Sequence, residues 1–346
     1  MGGAAGHMAH PFNIVQSGNE LYNLFVRAYA HVQDNPSHAS VKIDGLNVSV
    51  KLVNASTGHA KEFALDRGSN KTLDVAGIRK IDLQARFGEG HGMIAKAGVV
   101  LDILNASIPK IKQELKHLGM WDNSDLLLNM EYVEGKSNVQ DYGCNFLAVH
   151  GLLESYYATQ KRRATHEIDY ASITMQRLIS KLNGVAKHYG FKVLGSVGIE
   201  SVHTPDFDKE LAQRYTIRYN EQVSVTKTLR DWLYAVKQVP HDVTFKLANG
   251  KKVEALSKEV FTSILNGVVL SKYLEDPTAS LGHAVNAFVC YLATMKLGEA
   301  FLEAYTSELG AVNQQEGLVI RNLTQQPFKI TGSFILRGMQ SSFQKQ

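Results

Sequence analysis

The run Lys42-Ile43-Asp44-Gly45-Leu46-Asn47-Val48-Ser49-Val50-Lys51 ends one short apolar stretch on a lysine, turns at glycine and resumes as an alternating strand. A lysine held at a strand end, beside an acid and a glycine, can act as a covalent nucleophile once it sheds its proton. The unperturbed pKa of lysine is about 10.4, so at neutral pH the group is overwhelmingly an unreactive ammonium. Attack on phosphorus needs the neutral amine, and nearby cations (metal, Arg or Lys) favour that form. The anionic phosphate must also have its charge offset before an amine approaches. Cations elsewhere in the chain include Arg67, Arg321 and Lys329, and acids include Glu131 and Glu316.

Each of these residues has a plainer reading. Lys42 can be a solvated strand-end lysine, Asp44 a turn cap and Glu316 a solvated helix-end acid. Arg67 beside Asp66 can be a surface ion pair of little energetic worth. Glu131 lies in the run Leu126-Leu127-Leu128-Asn129-Met130-Glu131-Tyr132, where a carboxylate is costly unless paired or metal-bound. The basic runs Lys161-Arg162-Arg163 and Lys251-Lys252 read as solvated faces or as nucleic-acid contacts. Trp232, Tyr234, Phe288 and Tyr291 fall at helical spacing and fit a core. Cys144 and Cys290 form neither a metal cluster nor a disulfide framework, and none of the 13 histidines has zinc-like spacing.

The elements that must position these groups follow from periodicity. Helices are expected over residues 18–33, 94–119 and 171–189, and over most of 224–312, with Ala284 to Leu309 the clearest stretch. Strands are expected over 39–54 (bent or broken at the glycine), 60–67, 125–134, 145–153, 191–200, 316–321 and 328–336. A hairpin over Val243–Val253 would turn at Asn249-Gly250. Strands at both ends with helices between them make an α+β pattern, not alternating βαβ units. Strands far apart in sequence must therefore meet in one sheet. With 346 residues the chain can bury a large core. Its net charge of +4 permits nucleic-acid binding without arguing for it. There is no run of eighteen apolar residues and no secretory signal, so no membrane partner is expected. Residues 1–8 read as an expression leader.

Five short elements stand in order: Lys42-x-Asp44-Gly45-x-Asn47, Asp66-Arg67-Gly68-Ser69, Met130-Glu131-Tyr132, Glu316-Gly317-Leu318-Val319-Ile320 and Phe328-Lys329-Ile330. The set resembles the covalent nucleotidyltransferase superfamily of ATP-dependent DNA ligases, RNA ligases and capping enzymes. Asn47, followed by Val48-Ser49-Val50, is similar to the nick-sealing RNA ligase branch of phages, as is Glu131 to Gly135 with Asn138-Val139 and Asp141-Tyr142. Lys-x-Asp-Gly alone is a weak signal, and the order of five elements carries the weight. The resemblance covers about residues 35–150 and 313–336.

The resemblance implies a nucleotidyltransferase (ligase adenylation) fold of antiparallel sheets flanked by helices. The adenylation domain would span 9–165 and 313–346, with 166–312 partly core and carrying a mostly helical insertion at about 220–312. It implies ATP and Mg2+ or Mn2+ as cofactors. Its partner would be nucleic acid: nicked duplex RNA, RNA/DNA hybrid or DNA. The setting would be the cytoplasm of a phage-infected or bacterial cell. Lys42 would form a lysyl–AMP and Arg67 would contact the nucleotide or a 5′-phosphate. Glu131 would hold the ribose or a metal, and Glu316 the metal. Lys329 would contact the α-phosphate, with Arg321 a further cation at the nucleotide. Asn47 would serve the steps after adenylation, while Asp44 completes the nucleotide-side motif and Gly45 and Gly68 provide turns.

The chain departs from the family pattern at three places. Thr331 stands where a second lysine is usual. Val149 and His150 stand where the adenine-stacking aromatic and an acid are expected. About fifteen residues follow Thr331, too few for a downstream OB-fold, which argues against a capping enzyme or full-sized DNA ligase layout. About forty residues precede Lys42, leaving no room for a nicotinamide-binding module. An RNA-type polynucleotide ligase is the leading expectation. A DNA ligase sealing nicked duplex, or a catalytically impaired nucleic-acid-binding relative, are the alternatives.

Overall fold

The computed structural model describes residues 8–15, 17–55, 60–135, 141–158, 161–164, 167–214, 244–246, 252–254 and 293–332. In chain order the elements are α1 (Gly18–Asp34), β1 (Ala39–Lys42), β2 (Leu46–Asn54), β3 (Lys61–Asp66), α2 (Thr72–Ala76), α3 (Leu83–Phe87), α4 (Gly92–His117), β4 (Leu126–Val133) and β5 (Phe146–Ala158). They continue with β6 (Lys161–Ala164), α5 (Ile173–Ala186), β7 (Lys192–Leu194), β8 (Glu200–Ser201), α6 (Lys209–Arg214), β9 (Thr244–Lys246) and β10 (Lys252–Glu254). The last are β11 (Tyr305–Ser307), β12 (Gly310–Ala311), β13 (Gly317–Ile320) and β14 (Phe328–Thr331). The α+β class read from the sequence is the class observed. The chain divides into two compact units, residues 1–8, 39–199 and 307–327 in the first and 9–38, 200–306 and 328–346 in the second.

The first unit is built on a six-stranded sheet of order β3-β2-β4-β5-β6, with β7 added parallel to β5. The period of two in β2 and β4 decides its faces. Val48, Val50 and Leu52 of β2 and Leu128, Met130 and Tyr132 of β4 enter the main core. There they meet α4 and α5 through Ala97, Val100, Leu101, Leu104, Met175 and Leu178. The intervening residues Asn47, Ser49, Asn129 and Glu131 lie on the opposite face, which is where chemistry can be done. Helix α4 starts with the His91 ring accepting from the Met93 N–H at 3.1 Å. It is long and apolar enough by length and composition to cross a membrane, but Ala97, Val100, Leu101, Leu104, Ile111 and Leu115 are fully buried against the protein. Helix α5 is capped by Ser172, whose Oγ accepts from the Met175 N–H at 3.1 Å.

A second pairing sets the position of the lysine. β1 runs antiparallel to β13 with Lys42 opposite Gly317 and Ala39 opposite Ile320. Residues more than 270 positions apart therefore share one ladder. Between β1 and β2 the chain turns at Gly45. A Cβ there would lie 2.7 Å from the Tyr132 carbonyl oxygen and 2.8 Å from Glu131 Cγ, so only glycine lets the turn sit against β4.

The second unit holds α1, capped by Ser17, whose Oγ accepts from the Glu20 N–H at 3.2 Å. Phe25 of α1, Phe207 and Phe301 pack ring on ring within that unit. β8 pairs antiparallel with β11, Ser201 opposite Tyr305. β9 and β10 pair antiparallel, which is the backbone of the hairpin expected at Val243–Val253. Its turn residues Asn249-Gly250 lie outside the described residues, as do Trp232, Tyr234, Phe288, Tyr291, Asn138-Val139 and most of 224–312. So do the side chains of Lys161-Arg162-Arg163 and Lys251-Lys252 and residues 333–336.

Several boundaries differ from the sequence reading. The helix expected to reach Leu309 ends at 303, and Tyr305–Ser307 is strand, because Tyr305 and Thr306 pair with β8. The strand expected over 191–200 is two separate strands, β7 and β8. β5 runs on to Ala158 because β6 folds back onto its far end. The short helices α2 and α3 are too brief for periodicity to show.

One further backbone feature matters for the site. Ile168 exchanges both backbone hydrogen bonds with Leu152, at 2.8 and 2.7 Å, so residues 167–170 lie across β5. Gly151 has φ +140°, and a Cβ on it would stand 2.8 Å from the Ile168 carbonyl oxygen and 3.0 Å from Tyr170 Cβ. Gly151→Ala is expected to lower stability by roughly 1–3 kcal/mol, the scale of a strained backbone position, and to loosen residues 167–170. Urea unfolding and amide exchange at Ile168 measure the two effects.

Candidate functional site

Lys42 Nζ donates to Glu316 Oε2 at 2.7 Å. The pair is neither open nor sealed, with the lysine side chain 23 % and the glutamate 14 % exposed. Burial by itself would push the Lys42 pKa down. Glu316, then Glu131 and Asp44, outweigh it and hold the ammonium above its ordinary value. This corrects the expectation that cations surround the lysine and depress its pKa. The described neighbours that set its charge state are carboxylates.

The sheet face opposite the core carries the rest. Asn47 lies opposite Glu131 in the β2–β4 register. Its Nδ2 donates to Asn129 Oδ1 at 2.9 Å and lies 3.5 Å from Glu131 Oε2. His150 Nε2 stands 3.5 Å from the same carboxylate oxygen. Arg67, one residue past β3, donates from Nη1 to the Asn47 carbonyl oxygen at 2.8 Å. Burial lowers the Arg67 pKa, with Asp74 and Glu131 opposing and Arg86 assisting. Asp44 donates its backbone N–H to Tyr142 Oη at 3.1 Å, and burial raises the pKa of that phenol.

Two buried ion pairs hold the loop that presents Arg67. Lys51 Nζ meets Asp66 Oδ2 at 2.9 Å, with the two side chains only 3 % and 0 % exposed. The same ammonium donates to the carbonyl oxygens of Asp74 at 3.2 Å and Val75 at 2.6 Å. Asp74 is gripped by Arg86 through Nε and Nη2, both at 2.9 Å, and accepts from Ser69 Oγ. Asp66 Oδ1 also accepts the Gly68 N–H at 2.8 Å. Asp66 is therefore the buried partner of Lys51, a residue that the sequence reading passed over, and not half of a surface pair with Arg67. A lysine alternating with Val50 and Leu52 on a strand is the signal that could have shown it.

Arg321 is buried. Its Nη1 donates to Ser40 Oγ at 2.6 Å, its Nη2 lies 4.0 Å from Glu167 Oε2, and its guanidinium covers the Tyr170 ring at 4.5 Å. Glu167 and Asn129 are the members of this neighbourhood to which sequence reasoning gave no role. Lys329 lies on β14 of the second unit, half-buried, its backbone N–H donating to the Ala9 carbonyl oxygen at 2.9 Å. Thr331 of the same strand is buried.

Val149 needs a correction. It was expected at the place of a base-stacking aromatic, but it is fully buried in the main core. The register of β5 turns Val149 to α4 and α5, and an aromatic there would not reach the Glu131 face. Its neighbour His150 faces Glu131 instead.

Among the described residues, no group of three or more His, Cys, Asp or Glu side chains gathers as a metal cage. Glu316 and Glu131 beside Lys42 are two half-buried hard-oxygen donors. That number suits Mg2+, which binds through one or two carboxylates plus substrate phosphates and keeps several waters. The chain matches no protein-family model, no curated protein and no solved structure.

Removing Lys51 would take from the buried Asp66 carboxylate its ammonium counter-ion. Lys51→Met is expected to cost about 3–5 kcal/mol, read as a fall in urea midpoint. Adding Asp66→Asn should return part of that loss, and a single-variant loss below about 1 kcal/mol would contradict the pairing.

Proposed function

We propose that the protein is an ATP-dependent polynucleotide ligase of RNA type that joins 5′-phosphate and 3′-hydroxyl ends through a lysyl–AMP intermediate. The observation that carries the reading is the contact of Lys42 with Glu316, with Glu131 close enough to act on the same ammonium. These are the nucleophile and the two carboxylates that the five ordered motifs single out. Asn47 and Arg67 adjoin the same carboxylate face and support the RNA branch of the reading.

In the first step the Lys42 amine attacks the α-phosphorus of ATP. An N–P bond forms, the bond from the α-phosphorus to the bridging oxygen breaks, and pyrophosphate leaves with the electron pair. The proton of the ammonium, now held by a hydrogen bond to Glu316 Oε2, must leave first and passes to solvent. A divalent cation bound at Glu316 and Glu131 would offset phosphate charge and weaken the hold of those carboxylates on the ammonium. Arg67 supplies a half-buried cation for a phosphate oxygen. In the second step a 5′-phosphate oxygen takes the AMP from Lys42 and releases the amine. In the third a 3′-hydroxyl oxygen attacks that 5′-phosphorus, closing the strand as AMP leaves.

Labelled ATP with Mg2+ or Mn2+ is expected to leave a label on the protein that survives a denaturing gel. Lys42→Ala should abolish the label and Glu316→Gln should cut its rate by at least about 10-fold, the scale for disturbing a metal-binding group. Full labelling of Lys42→Ala would refute the reading. Nicks built with RNA or DNA on each side then test the RNA preference.

A further inference from the structure

The orientation of two asparagine amides on the carboxylate face follows from a single carboxylate. Glu167 Oε1 lies 3.0 Å from the Asn129 amide. An ionised carboxylate can only accept, so the Asn129 atom facing it is the NH2 group. Asn129 Oδ1 is then turned the other way, where it accepts from Ser49 Oγ at 3.0 Å and from Asn47 Nδ2 at 2.9 Å. Asn47 has the same restriction in turn. Three acceptors surround its nitrogen, namely Asn129 Oδ1, the Met130 carbonyl oxygen at 3.4 Å and Glu131 Oε2 at 3.5 Å. What Asn47 has left is Oδ1, a buried acceptor with no hydrogen-bond partner among the described residues. Such an atom is costly unless something donates to it.

We propose that Asn129 and Glu167 are positioning residues that fix Asn47 as an acceptor for a ribose hydroxyl. A phosphate oxygen brings no proton and would be repelled by Oδ1. A hydroxyl donates, and a ribose carries neighbouring hydroxyls that suit Asn47 Oδ1 and the Glu131 carboxylate beside it. The identity of the ligand rests on the ligase reading, whereas the amide orientation does not. Glu167 can do this because the Ile168–Leu152 pairing and the bare Cα of Gly151 hold it across β5, next to Asn129.

The test uses the full chain, with Glu167→Gln and Asn129→Asp as variants. Glutamine can present either end of its amide, so it no longer dictates Asn129. Aspartate keeps the shape but cannot donate to Glu167. One arm compares ATP with 2′-deoxy-ATP and 3′-deoxy-ATP in forming the Lys42 adduct. The other compares ribose with 2′-deoxyribose at the 3′-hydroxyl side of a nick. The wild type is expected to favour ribose by about five-fold on one arm, the scale of one hydrogen bond, and that arm identifies the source of the hydroxyl. Both variants should bring the ratio near one. A third readout is side-chain amide exchange of Asn47 and Asn129 by NMR, expected to quicken at least about ten-fold in Glu167→Gln as a buried hydrogen bond is lost. Ratios unchanged by both variants, no ribose preference on either arm, or unchanged exchange would each overturn the proposal. If the wild type forms no Lys42 adduct, the ligase reading fails alone, and the exchange rates still decide the amide orientation.

Discussion

An ammonium held by carboxylates is the constraint on which the site depends. Lys42 must be neutral to attack phosphorus, yet Glu316, Glu131 and Asp44 keep it charged. Glu316 also keeps it in place through its hydrogen bond. Under the proposed ligase reading the carboxylates would serve twice, as counter-ions to the resting lysine and as oxygen donors toward a metal, and switching between those roles would free the amine. The arrangement also spares the fold an unpaired half-buried ammonium, which would be costly.

The fold supports that pair by a long-range register. β1 carries the lysine and β13 follows the glutamate, and their antiparallel ladder brings the two together. The six-stranded sheet then supplies the rest by plain alternation, with one face given to α4 and α5 and the other to Asn47, Asn129, Glu131 and His150. Polar groups on that second face are tied to one another. Lys51 with Asp66 and Arg86 with Asp74 fix the loop bearing Arg67. Glu167 links Asn129 to the neighbourhood of Arg321, Ser40 and Tyr170. Two buried acceptors of this network, Asn47 Oδ1 and Glu167 Oε2, have no hydrogen-bond partner among the described residues.

Much of this was legible in the sequence. The strands around Gly45, the helix α4 and the strand bearing Glu131 announce themselves by period, because each has one buried face. The ordered motifs named Lys42, Glu131 and Glu316, and in the structure both glutamates act on the Lys42 ammonium, although nothing local connects residue 42 with residue 316. What escaped were properties of register and of tertiary partners. Val149 and His150 are adjacent, and only the strand register tells which faces the core. The helix that ends at 303 looked longer because its apolar spacing continues into Tyr305, which a strand claims instead. Lys51 and Glu167 carry no motif, and their roles exist only once Asp66 and Asn129 are brought to them. The lysine's charge state was misjudged for a related reason, since its local sequence shows Asp44 but not that Glu316 and Glu131 join it.

The central claim is that Glu316 governs the protonation of Lys42, and titrating that one side chain tests it most directly. Acylation of Lys42 by a small anhydride can be followed by peptide mass spectrometry across a pH series, in the wild type and in Glu316→Gln. The account predicts a wild-type pKa above that of an ordinary lysine and a clear downward shift in the variant. A wild-type value at or below the ordinary one, or the same value in both proteins, would contradict it.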